Sequence, residues 1–352
     1  IFEMNAGKEK NRVQYFDIAR GIAMICIILG HLNNSLINRV VFTFHVPIFF
    51  FITGYFMNSK CGIKDYARNK LRTLIVPYIV TCIVIIILGT LKGFIQGDAI
   101  SELGRWSYAA VYGAGDSYNE PFYIPGIGAI WFLWATFWGC IFLRLSLQFE
   151  RHVRLGVIIG LFIFGYFSRQ IFWFPLSIQA GACAVLFMYI GYIARNVKDN
   201  IGKLSAEAKT FGLFFTAVVW FFFMKDFQSF WLVHCDIGRG IVDVFGSMCA
   251  CVIVIYISKM IEIKFRIAGK FLAFFGRYSL LVLCVHIIEL DLFPWWMITG
   301  RFEGMGISES GQLWFVIAGK LVADLGFAYI ISRVPIVRKV IGYESRSVGI
   351  EG

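Results

Sequence analysis

The sequence predicts an all-α polytopic membrane protein: a bundle of about ten transmembrane helices with both termini in the cytoplasm. Composition sets the class. Of 352 residues, 59% are hydrophobic and 16% charged, with a mean hydropathy of +0.72, against about 45–50% and about 25% in a soluble domain. Apolar stretches of about 20 residues recur along the chain, the length a helix needs to cross a bilayer. When successive connections are assigned alternately to two sides, the basic residues separate. One side collects Lys8, Lys10 and Arg12, the loop from Lys60 to Arg72, and the segments Arg144–Arg154, Arg195–Lys209, Lys259–Arg277 and Arg333–Arg346. The other holds Arg39, Lys92, Arg105, Arg169, Lys225, Arg239 and Arg301. Lys and Arg mark the cytoplasmic side, so the net charge of +11 reads as topology with some anionic-lipid contact, and nucleic acid is not an expected partner.

The spans are expected at 15–34, 40–57, 73–93, 128–147, 155–173, 176–194, 210–224, 238–258, 272–290 and 312–332. Residues 1–13 form a short basic tail, 14–340 the membrane domain, and 341–352 a cytoplasmic tail that leaves room for a further domain. The first apolar segment lacks a small-residue cleavage site and reads as a retained helix. Seven of nine cysteines lie in spans without Cys-x-x-Cys or Cys/His spacing, so neither a metal site nor a disulfide framework is expected.

Span 1 contains "FDIARGIAMICIILGH". Arg20 and His31 are eleven residues apart and share one helix face, about 16 Å apart along the axis. Asp17 lies one turn below Arg20 and is placed to pair with it. Ionisable groups inside a membrane mark functional paths, although an arginine also snorkels to headgroups and a histidine also satisfies a carbonyl. Span 2, "FTFHVPIFFFITGYF", carries His45 and a kinking Pro47. The loop after it gathers Lys64, Arg68, Lys70 and Arg72 within nine residues, with Tyr66 inside the cluster and Tyr78 just beyond. Positive-inside bias explains part of that cluster; a phosphate-rich cytosolic ligand on the cations, with an aromatic ring near its base, explains the rest. Two outer loops, 94–127 and the one between spans 9 and 10, mix aromatic and polar residues in a way that suits carbohydrate. For Trp295 and Trp296 an interfacial aromatic belt is the favoured reading. Lys320 and Asp324, four apart in span 10, are expected to neutralise each other.

The first stretch resembles the Arg-x10-His signature of the membrane-bound acyltransferase-3 family. "FHVPIFFFITGYF" is similar to the family's second-helix pattern, "KLRTLIVPY" to its basic-Pro-Tyr motif, "GAIWFLWATF" to its fourth-helix segment and "FFGRYSLLVLCVH" to its late segment. The Phe-His-x-Pro form most resembles the fucose 4-O-acetylase-like branch. The resemblance implies transfer of an acyl group, usually acetyl from acetyl-CoA, onto a hydroxyl of an extracytoplasmic or lipid-linked glycan. Under it, the CoA phosphates would sit on Lys64, Arg68, Lys70 and Arg72 beside Tyr66 and Tyr78, and the pantetheine arm would rise along the Arg20 face. His31 would be the general base or would carry the acyl group covalently. Asp17 and Arg20 would orient the donor. His45 either assists the base or makes a structural hydrogen bond; His286 and Glu289, one turn apart in span 9, either join the site or meet water; Trp131 either walls the acyl channel or packs. Some relatives are fused to a racemase and assigned serine uptake, which leaves a small-solute transporter as the alternative. Acceptor and oligomeric state stay open.

Overall fold

The computed structural model describes residues 13–58 and 61–340, so the two expected tails, apart from Val13, lie outside the described residues. Among the described residues sixteen α-helices follow one another, and the only β pairing is an isolated bridge between Tyr118 and Ile124. In order they are α1 (Gln14–Gly30), α2 (Ser35–Val41), α3 (Pro47–Tyr55), α4 (Ile63–Lys70), α5 (Val76–Gln96), α6 (Ala99–Tyr112), α7 (Trp131–Ser146) and α8 (Arg151–Ser168). Then come α9 (Ile178–Gly202), α10 (Ala206–Lys225), α11 (Ile241–Lys264), α12 (Arg266–Arg277), α13 (Ser279–Leu292), α14 (Trp295–Gly304), α15 (Glu309–Ile331) and α16 (Pro335–Val340).

Among the described residues, seven helical stretches are long and apolar enough to cross a membrane, and the bent pair α12–α13 makes an eighth. They fall where eight of the ten expected spans lie; the other two take a different form. α1 has 17 residues and ends just before His31. The expected second span is broken, because α2 stops at Val41 and a new helix starts at Pro47. Proline lacks an N–H and suits the first turn of a helix rather than its interior. The α12–α13 span bends by 72° at Tyr278, whose backbone (φ −97°, ψ 16°) leaves the helical range.

Two connections expected as loops hold helices. α6 folds back along α5 after a turn at Gly97 (φ 83°), and Gly89 and Gly93 open the space that Trp106 and Glu102 occupy. α14 lies between α13 and α15. α4 runs into α5 through a π-helical turn, Leu71–Ile75, so that 63–96 forms one 34-residue helix. At 1.5 Å per residue that is about 51 Å, well beyond the roughly 30 Å of hydrocarbon. The basic residues of α4 therefore stand on a rod long enough to carry them into the headgroups and water.

Lipid tails are as apolar as leucine, so helices in a bilayer associate through close packing and small residues. Two crossings show it. At Gly276 on α12, an added Cβ would lie 1.7 Å from the Asp17 carbonyl oxygen of α1, and at Gly21 on α1 it would lie 2.2 Å from that of Leu272. Between α3 and α9, Gly54 meets the Met188 carbonyl and Gly191 that of Phe51 in the same way. α9 is central, whereas α10 lies at the edge with Phe211, Phe214, Phe221 and Phe222 exposed for lipid.

Candidate active site

His31 closes α1, half-buried, with its Nδ1 2.8 Å from the Ile27 carbonyl oxygen. A carbonyl only accepts, so this nitrogen carries the proton and donates. His286 of α13 is fully buried, and its Nε2 stands 3.3 Å from the same His31 Nδ1, with the ring centroids 5.0 Å apart. On its other side, His286 Nδ1 is 2.8 Å from Asp324 Oδ2 of α15 and 3.4 Å from Glu289 Oε2, one turn along α13. Glu289 Oε1 accepts from the Lys320 ammonium at 2.8 Å and from the Trp295 indole N–H. The Lys320 ammonium also lies 5.2 Å over the Trp295 ring.

The tautomers follow from the contacts. His286 Nδ1–H donates to the Asp324 carboxylate, leaving an Nε2 lone pair that faces His31 Nδ1–H. With its proton on Nδ1, His31 keeps an unprotonated Nε2 as the one ring nitrogen outside the network. The structure thus brings together His31, His286 and Glu289 from the expected set and adds Asp324, Lys320 and Trp295.

One reading is corrected. Lys320 and Asp324 were expected to neutralise each other along α15; instead Lys320 reaches Glu289 and Asp324 reaches His286, both across the interface to α13. An i, i+4 spacing lets two side chains meet, but a buried imidazole and a buried carboxylate on the neighbouring helix compete for each of them. Trp295, assigned to an interfacial belt, turns inward onto Gly319, where an added Cβ would lie 2.6 Å from its ring, while Trp296 is exposed. The signal for Lys320 and Asp324 was present in the sequence, since a charge inside an apolar span is a functional candidate by default. Nothing local to α14 pointed Trp295 inward.

His286, Glu289 and Asp324 also bring their ligand-type atoms within 4.8 Å of one another. The Lys320 ammonium is the cation that the structure places beside one of these oxygens, Glu289 Oε1.

The remaining expected residues lie elsewhere. Asp17 is buried between two guanidinium groups, 3.4 Å from Arg20 Nη1 and 3.5 Å from Arg277 Nε. Arg20 sits about 16 Å and Asp17 about 21 Å along α1 from His31. His45 is buried and donates from Nδ1 to the Val41 carbonyl at 2.7 Å. In α4, Lys64 and Arg68 are exposed, as is Arg72 in the π turn, while the Lys70 ammonium lies 5.4 Å over the ring of buried Tyr66. Tyr78 lies two turns above Lys70, and its hydroxyl donates to the Ala110 carbonyl of α6. Trp131 is buried at the start of α7, filling the space opposite Gly115. Arg144 donates to the Cys61 carbonyl at 2.6 Å and ties the start of the basic loop to the C-terminal end of α7.

Among the loop residues, Tyr118 stacks on Trp173 at 4.6 Å and its hydroxyl meets His234 Nδ1 at 3.1 Å. His234 Nε2 lies 3.2 Å from Asp116 Oδ2. That hydrogen bond, with help from the Ser117 N–H, holds the Asp116 carboxyl below the usual carboxylate range.

Fold and site together define an integral membrane protein with a cluster of imidazole, carboxylate and ammonium groups where α1, α13 and α15 meet. The family described as "Acyltransferase domain" matches residues 13–333, and the chain belongs to that family. A curated relative, nodulation protein NolL of Mesorhizobium japonicum, is 26% identical over 156 residues, covering 40% of this chain and 38% of that protein. No solved structure matches the chain.

Proposed function

We propose that this acyltransferase is an O-acetyltransferase of a cytoplasmic membrane that takes acetyl from cytosolic acetyl-CoA and gives it to a hydroxyl of an extracytoplasmic or lipid-linked sugar. Both termini lie on the CoA side. The branch is the one resembling fucose 4-O-acetylases. The observation that carries the reading is the unprotonated Nε2 of His31, held at the end of α1 with its other ring nitrogen fixed by Ile27 and His286.

In this reading the CoA phosphates rest on Lys64, Arg68, Lys70 and Arg72, charges that reach water because the α4–α5 rod outruns the hydrocarbon. Arg20 lies too far from His31 to touch the reacting carbonyl; with Asp17 and Arg277 it acts on the donor's path. The thioester carbonyl comes beside His31. Its Nε2 takes the acceptor hydroxyl proton while the oxygen attacks the acyl carbon, the carbon–sulfur bond breaks, and the proton passes to the CoA thiolate. Imidazole suits the task because its ordinary pKa lies near neutrality.

Calorimetric titration of acetyl-CoA into the purified chain tests the reading, alongside His31→Ala and a Lys70→Ala/Arg72→Ala variant. Wild type and His31→Ala should bind alike, while the loop variant weakens binding about tenfold or more, the loss of one to two charge-assisted contacts. Folded wild type that binds no acyl-CoA would sink the donor assignment and put small-solute transport in its place.

A further inference from the structure

Two carboxylates and one ammonium are buried around His286: Asp324 and Lys320 from α15, and Glu289 on α13 itself. With neutral imidazoles this leaves one uncompensated negative charge inside an apolar bundle, an arrangement that costs several kcal/mol per ion unless a partner is supplied. Lys320 satisfies Glu289 Oε1, but Glu289 Oε2 has no hydrogen-bond partner among the described residues and faces His286 Nδ1 at 3.4 Å. The electrostatic deficit is one proton, and it is centred on His286. Among the described residues, the hydrogen bond to the open Nε2 of His286 comes from His31 Nδ1–H. Other charged or titratable groups facing this pair are His45, beside His31, and Asp291, further along α13 toward Arg105 and Lys92.

We propose that Asp324, His286 and His31 form a relay in which the proton His31 takes from the acceptor hydroxyl is shared through Nδ1–H with His286 Nε2, the positive charge being held by Asp324 and Glu289. This rests on the acyltransferase reading of the site. Written as a step, the hydroxyl O–H breaks and its proton joins His31 Nε2. The His31 Nδ1 proton moves toward His286 Nε2 as the oxygen–acyl bond forms and the carbon–sulfur bond breaks. Both shifts reverse when the CoA thiolate takes the proton. Charge appears where two carboxylates are already fixed, so no reorganisation is needed at the moment of reaction. His286 and Asp324 are therefore positioning residues: they fix the tautomer of the base and stabilise its charged form, as a buried aspartate does in a Ser-His-Asp triad without itself becoming protonated.

The direct test is nitrogen-15 NMR of the full chain labelled at histidine, in lipid nanodiscs, with resonances assigned by His→Gln variants. Both His31 and His286 should show a protonated Nδ1 and an unprotonated Nε2, and Asp324→Asn should shift the His286 proton off Nδ1. A wild-type His286 that carries its proton on Nε2 overturns the relay. A second readout is CoA release from acetyl-CoA in native membranes that supply the acceptor. Asp324→Asn and His286→Gln should lower kcat about 100- to 10,000-fold with acetyl-CoA binding within about twofold of wild type, a split that misfolding would not produce, and Asp324→Glu should recover part of the rate. Wild-type kcat in Asp324→Asn overturns the proposal. Zinc retained by the purified chain and lost in Asp324→Asn would also overturn it, in favour of a metal site. If the wild type releases no CoA at all, the acyltransferase reading fails, while the nitrogen spectra still decide the tautomers.

Discussion

Gly276→Ala is a one-carbon test of how the bundle holds its base. The new Cβ would lie 1.7 Å from the Asp17 carbonyl oxygen, 2.6 Å from its carbon and 2.9 Å from the Gly21 nitrogen. All three neighbours are backbone, so no side chain can swing away. Ordinary contact begins near 3.4 Å, and α12 must retreat from α1 by about 1.7 Å to reach it. Overpacking of this kind costs about 1–3 kcal/mol, occasionally more. The same retreat disturbs Asp17, which holds Arg20 and Arg277, and tilts the helix that ends at His31. A catalytic group displaced by about 1 Å loses about 100-fold in rate. Thermal unfolding of the full chain in detergent checks the first effect and CoA release from acetyl-CoA the second. Gly160→Ala in α8 is the control: its Cβ meets nothing within 4 Å, and alanine is favoured over glycine in a helix by up to about 1 kcal/mol. Gly276→Ala should melt below wild type and lose turnover, while Gly160→Ala melts at or above it. Equal melting of the two variants would refute the argument that this backbone contact sets the crossing.

Lys320→Met removes the ammonium but leaves Glu289 buried, and breaking one side of a buried ion pair costs about 3–5 kcal/mol. Adding Glu289→Gln should recover a large part of that loss in the melting temperature, and a double variant no more stable than Lys320→Met would count against the pairing. Asp116 gives a pH dependence. Its carboxyl is held low in the folded chain, so its contribution is complete above the unfolded value of about 3.9 and is lost as pH falls through the folded value. Half-exposed, the pair with His234 contributes about 0–1 kcal/mol. Melting of wild type and Asp116→Asn should differ slightly at pH 7 and converge in acid, and a difference independent of pH would refute the assignment.

The helical membrane class was legible because a bilayer imposes one length and one polarity on every span, and Leu, Ile and Phe runs record both. Arg20, His31 and the α4 cations stood out for the same reason: a charge among such residues is expensive. Pairing was less legible. Lys320 and Asp324 are neighbours on one helix, and the sequence along α15 carries no information about which residues of α13 face them. The break at Pro47 was readable as a kink but not as a new helix, since proline tolerates both outcomes according to what packs beside it. α6 hid in a polar loop because it buries only Trp106 and Ala109.

The π turn at Leu71–Ile75 sets the angular phase of the basic rod. Such a turn is one residue in excess of the α-helical ladder, and each α-helical residue advances the chain by about 100° around the axis. If the five residues of this turn tightened into α-helix with none removed, α4 would swing by about that angle, while Ile79, Ile83 and Ile87 of α5 kept facing lipid. Tyr66 would leave its place beside Cys140 of α7, and the cations would point along a new bearing with their number and spacing unchanged. The direction in which this protein presents its positive charge is thus written in how one turn is wound, and a change of that turn from π to α would re-aim the cluster more strongly than replacing any one of its side chains.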